Sequence, residues 1–144
     1  AKRVGERGHI YANDINENAL LHIEMECKKK GITNITTVIG EVENPMLPMG
    51  KMDMIIMVYV LHDLEKPVEF LRNIIPSMKP GAKLVLLERE PLKTKNEYDK
   101  THFLTKEKIL RLTSEAGFHL RRFETFLPKD SIYILSTDGY ITTK

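Results

Sequence analysis

Residues 51–67, KMDMIIMVYVLHDLEKP, decide the fold. Between Met52 and Leu61 only Asp53 and Tyr59 interrupt an apolar run. A strand with one wet face alternates apolar and polar residues, and this run does not. It therefore reads as a strand buried on both faces, as inside a parallel sheet covered by helices. Polar groups return at His62 and Asp63. In open α/β sheets ligands bind at the carboxyl ends of strands. The run is expected to build core along its length and site at its end.

Toward the N-terminus, residues 1–6 read as the last turn of a helix, and residues 9–13 (HIYAN) as a short strand ending at Asp14. Asn13 or Asn16 can cap the helix that follows, with Glu17 in its first turn, where negative charge suits the dipole. Leu20, Ile23 and Cys27 share one face of that helix, Lys28, Lys29 and Lys30 fill its last turn, and Gly31 stops it. Residues 34–39 are β-branched and form a second strand, closed by Gly40. A polar, proline-marked loop then leads to the central strand.

Toward the C-terminus, Pro67 suits a helix start. Val68, Leu71, Ile74, Ile75 and Met78 make that helix's apolar face, and Pro76 should break or tighten its end. Residues 79–81 are a turn and residues 83–87 a fourth strand. Residues 88–104 are charged and without periodicity, which reads as a long loop over the strand ends. Thr105 caps a helix carrying Ile109, Leu110, Leu112 and Ala116, ended by Gly117. Residues 118–127 and 131–136 are strands whose connection is too short for anything but antiparallel pairing. The fold class is α/β: one domain over residues 1–144 whose mostly parallel sheet ends in an antiparallel hairpin.

A chain of 144 residues, 42% apolar and 29% charged, has the composition of one globular domain. Its net charge of +2 is too small to argue for nucleic acid or an acidic membrane surface. The lone Cys27 excludes an internal disulfide or a cysteine metal cluster. No apolar run reaches the roughly 18 residues of a membrane span. The opening residues lack the apolar core of a signal peptide, so a cytoplasmic location is expected. No metal is expected either: His62 and Asp63, adjacent on an extended chain, would point opposite ways, and His9, His22, His102 and His119 show no ligand spacing.

GHIYANDIN (8–16), VIGEVENPMLP (38–48), MDMIIMVYVLHDLEKP (52–67), MKPGAKLVLLE (78–88) and HFLTKEKILRLTSEAGF (102–118) stand in an order and spacing that resemble the class I S-adenosylmethionine-dependent methyltransferases, of the small-molecule ubiquinone/menaquinone type. The resemblance implies a Rossmann-like sheet, S-adenosylmethionine as cofactor and methyl transfer to a small-molecule acceptor. It also implies an N-terminally incomplete domain. The family's first strand and the glycine-rich loop after it have no counterpart here, and that strand lies at the centre of the family's sheet. Two ladders would then lack a partner, at about 1–3 kcal/mol for each buried unsatisfied group. The chain is expected to be a C-terminal portion of a longer enzyme, poorly stable alone.

By the same resemblance, Asp14 accepts hydrogen bonds from the two ribose hydroxyls, which suits the two oxygens of a carboxylate. The plain alternative is a helix cap or first-turn acid. Glu41 and Val42 align with the adenine contact, Val58 with the position beside the methionine moiety, and Ile15 and Asn16 with the adenosine. His62 stands where the family commonly has a histidine, at a strand end toward cofactor or substrate. Independently of the resemblance, Tyr98 and His102 lie in or beside the long loop 88–104, where substrate-facing residues often sit. No catalytic residue is assigned, because an activated methyl needs a protein base only when the acceptor must lose a proton. Two other readings stay open: a nicotinamide-dependent dehydrogenase, and a non-catalytic module that binds a partner or forms a homodimer.

Overall fold

A computed structural model describes residues 1–93 and 97–138. In chain order the strands are β1 (Ile10–Asp14), β2 (Ile35–Ile39), β3 (Met52–Val58), β4 (Met78–Arg89), β5 (His119–Glu124) and β6 (Asp130–Ser136); the α-helices are α1 (Glu17–Lys29), α2 (Pro67–Ile74), α3 (Glu97–His102) and α4 (Lys106–Glu115). β3 and β4 pair parallel, and β6 pairs antiparallel with both β4 and β5, in the order β3-β4-β6-β5. β1 and β2 form a separate parallel pair. The α/β class and the terminal antiparallel hairpin are as expected; the pairings among the described residues are two parallel and two antiparallel, over two separate sheets, rather than mostly parallel.

Register explains which face became the core. Ile55, Leu84, Leu135 and Leu120 line up across the four strands, and so do Met57, Leu86, Tyr133 and Phe123. These rows face α2 and α4, which add Leu71, Ile74 and Ile109 to one buried cluster, joined by Ala116 at the end of α4. Burying each large aliphatic side chain there contributes about 1.5–3 kcal/mol. The alternate row, Ile56, Val85 and Ile134, lies on the opposite face.

That opposite face corrects the expectation for β3. Met54, Ile56 and Val58 are 53%, 62% and 49% exposed. The strand is apolar on both faces, but among the described residues helices cover one face only. Among the described residues β3 pairs with β4 alone, so its outer edge is also open there. The run is apolar throughout, but the burial on both faces expected of it is not found among these elements.

Local signals mostly hold. Asn16, not Asn13, caps α1, its side chain accepting from the amides of Asn18 and Ala19. Thr105 caps α4 through the Lys108 amide. Pro76 tightens the end of α2 into a 3₁₀ turn over Ile75–Ser77. Several elements differ from expectation: β3 stops at Val58 short of Leu61, Met78 opens β4 instead of extending the apolar face of α2, and β5 spans His119–Glu124 rather than 118–127. Residues 2–4 form a 3₁₀ turn rather than the end of an α-helix. β4 starts at Met78 and runs through the expected Pro80-Gly81 turn, with its pairing to β3 shifted between Met52 and Met54. The expected loop 88–104 contains a 3₁₀ turn at Pro91–Lys93 and the short α3.

The two sheets are tied together by the loop between β2 and β3. Asn13 donates to the carbonyls of Val38 and Pro45, and Asn73 donates to the carbonyl of Glu43. Gly40 suits the close approach there: a Cβ would lie 3.0 Å from the Asn13 amide nitrogen and 3.3 Å from the Pro45 backbone, so these neighbours would have to shift. Between β1 and β3 remains a cavity of about 180 Å³, lined by Tyr11 and Asn13 on one side and Met54 and Ile56 on the other.

Candidate active site

Two groups of residues gather at strand ends. The first surrounds Asp14, the last residue of β1. Its Oδ1 accepts the Asn16 amide at 2.9 Å, which turns the chain into α1. Its other carboxylate oxygen makes no hydrogen bond among the described residues. The helix-start role and the ligand role are thus compatible, because a carboxylate offers more acceptor sites than one turn uses. Ile15 is 62% exposed beside it. At the end of the neighbouring β2, Glu41 and Asn44 exchange backbone hydrogen bonds of 2.7 and 3.2 Å. This turn leaves the Glu41 side chain exposed and the Val42 amide without a partner among the described residues. The arrangement provides an acceptor and a donor side by side.

Val58 ends β3, and the next residue, Tyr59, takes φ 54° with its amide donating to Leu87. A tyrosine held at positive φ is strained by about 1–3 kcal/mol, and such strain concentrates at functional edges. The strained turn sends the chain into the 3₁₀ turn Leu61–Asp63. Here the second group begins. His62 Nδ1 lies 2.7 Å from Glu88 Oε2, and the Leu61 amide donates to Glu88 Oε1 at 2.8 Å. The His62 side chain is 4% exposed and that of Glu88 1%. Around them, His102 stacks on Tyr98 at 4.7 Å and meets His62 edge-on at 4.9 Å, while Phe103 meets His62 at 4.4 Å. The Arg89 guanidinium sits 5.6 Å from the Phe103 ring and 5.7 Å from the Tyr59 ring. A hydrogen bond with Tyr59, then one to Asp130, raises Arg89 above its ordinary value against partial desolvation.

His62, Tyr98 and His102 are therefore brought together. The premise that kept His62 and Asp63 apart fails, because a 3₁₀ turn does not alternate its side chains as a strand does. Asp63 contacts both His62 and His102. Glu88 was not singled out from the sequence, although a lone acid ending an apolar strand, one strand over from His62, carried the signal. Cys27, on the α1 face with Leu20 and Ile23, is half-buried and lines a hollow of about 240 Å³ between α1 and β2, away from both groups.

An open-edged α/β sheet with an acid at the end of one strand and a histidine–carboxylate pair at the end of another defines a Rossmann-like ligand-binding domain. The chain belongs to the methyltransferase domain family, whose pattern it matches over residues 1–132. It is 30% identical over 112 residues to the ubiquinone/menaquinone biosynthesis C-methyltransferase UbiE of Yersinia enterocolitica, covering 74% of this chain and 45% of that one. It is 27% identical over 88 residues to a demethylmenaquinone methyltransferase of Geobacillus, covering 61% of this chain and 38% of that one. The chain thus spans less than half the length of these curated relatives. Its fold is shared with a SAM-dependent methyltransferase from Aquifex aeolicus (TM-score 0.85, 22% identity, 93% of this chain and 71% of that one).

Proposed function

We propose that this chain is the greater part of a domain that transfers a methyl group from S-adenosylmethionine to a small-molecule acceptor. The observation that carries the reading is the pairing of Asp14 with the Glu41-Val42 turn at adjacent strand ends. Among the described residues Asp14 keeps one carboxylate oxygen unused, for ribose hydroxyls, and the Val42 amide is unused beside the Glu41 carboxylate, for adenine. Ile15 and Val58 supply exposed apolar surface for the remainder of the cofactor, and Asn16 stays committed to its cap. The residues fit that group in part. When bound, S-adenosylmethionine supplies an electrophilic methyl, and the chain's own task is to align the acceptor and exclude water.

The acceptor side is the cluster of His62, Tyr98 and His102, an aromatic pocket wall with one buried, oriented imidazole. The slot between β1 and β3 takes a further strand from the region preceding Ala1. Support comes from two open ladder edges, a shared cavity and an uncovered apolar face on β3. The glycine-rich loop following that strand would complete the cofactor site. Membership of the methyltransferase family leaves the nicotinamide reading without support. Among the described residues no helix is long and apolar enough to cross a membrane. A cytoplasmic location and a small-molecule partner fit the reading, and homodimerisation is the second arrangement open to the exposed β3 face.

The test is Asp14→Ala in a chain extended through the preceding strand. S-adenosylhomocysteine affinity should fall tenfold or more, about 1.4 kcal/mol per factor of ten. Unchanged affinity would remove the ribose assignment.

A further inference from the structure

We propose that His62, Asp63 and His102 form a binding site for a divalent first-row transition ion, with Glu88 as the residue that orients His62. One ligand atom from each of the three lies within 4.8 Å of the other two. His62 Nε2 is 3.5 Å from one Asp63 oxygen, and His102 Nε2 is 3.7 Å from the other. Donors around a tetrahedral zinc, at bonds of about 2.0–2.1 Å, are separated by about 3.3 Å, so small side-chain adjustments close the set. Two imidazoles and one carboxylate are the donor set that suits zinc, iron(II), cobalt and nickel, and it leaves coordination positions open for water or a substrate oxygen.

The independent observation is Glu88. An ionised carboxylate only accepts hydrogen bonds, so His62 Nδ1 carries the proton donated to it and Nε2 presents its lone pair toward Asp63 and His102. Metal-bound histidines are held this way by a carboxylate behind them. A carboxylate buried to 1% exposure, fixed by the Leu61 amide as well, is a costly arrangement for orienting a ring that only packs. Asp63 is exposed and α3 carries His102 at its last residue, so an ion has a path in.

The experiment is a titration of the full-length protein with cobalt(II), read by its visible ligand-field absorption, and then displacement by zinc(II). The expected result is one equivalent of cobalt bound in a low-coordinate N/O site and released by zinc. His102→Ala and Asp63→Ala, both at partly or largely exposed positions, should weaken binding at least tenfold without loss of fold by circular dichroism. Glu88→Gln should weaken it about 10–100-fold with every ligand intact, because a glutamine amide facing Nδ1 selects the opposite tautomer. Absence of a cobalt spectrum, or affinity unchanged in His102→Ala, would overturn the site. Neither outcome bears on cofactor binding at Asp14, which is read separately.

Discussion

Glu88 bridges two groups across adjacent strand ends: its Oε1 accepts the Leu61 amide at 2.8 Å and its Oε2 lies 2.7 Å from His62 Nδ1. This pair locks the 3₁₀ turn at Leu61–Asp63 onto the end of β4. It also fixes the one buried imidazole among the candidate acceptor-side residues. Glu88→Gln keeps the shape but supplies a single acceptor oxygen, and should cost about 1–3 kcal/mol in chemical denaturation. An unchanged midpoint and slope would mean that the turn holds itself without the carboxylate.

Tyr133 sits in the core against Phe123, and its phenol is pushed up first by burial and then by the charges of Glu90, Glu107 and Glu88. Its folded-state value lies above the unfolded value of about 10. Stability from the neutral phenol is therefore complete below pH 10 and declines as pH rises beyond it. The slope approaches about 1.4 kcal/mol per pH unit. Tyr133→Phe should flatten that alkaline limb. A limb of equal steepness in the variant would assign the loss to other groups.

Ile56 distinguishes a covered β3 face from a bare one. In the present chain it is 62% exposed, so Ile56→Ala should change stability by less than about 0.5 kcal/mol. In a chain extended through the preceding strand and its helix, the same substitution should cost about 2–5 kcal/mol. Equal small effects in both would mean that nothing packs on this face.

Much of the architecture was legible because local chemistry and global fold agree. Asn16, Thr105, Pro67 and Pro76 marked element ends by mechanisms that act within a few residues. The short 128–130 connection forced the antiparallel hairpin. What the sequence did not show depends on contacts between distant segments. The bare face of β3 is invisible in its composition, since burial belongs to the partner and not to the strand. The gathering of His62, Asp63 and His102 depends on a 3₁₀ turn after a strained Tyr59 and on a short helix in a stretch without periodicity. Glu88 acquired its meaning only when β4 was laid beside β3. For Asp14 and the Glu41-Val42 turn, resemblance located the positions and the structure supplied the open donor and acceptor.

The most direct test of the central claim is calorimetric titration of S-adenosylmethionine and S-adenosylhomocysteine. It would compare this 144-residue chain with one extended through the preceding strand and glycine-rich loop. The account predicts binding by the extended chain, with the present chain weaker by orders of magnitude or silent. If both fold and neither binds, the methyltransferase reading of these strand ends is contradicted.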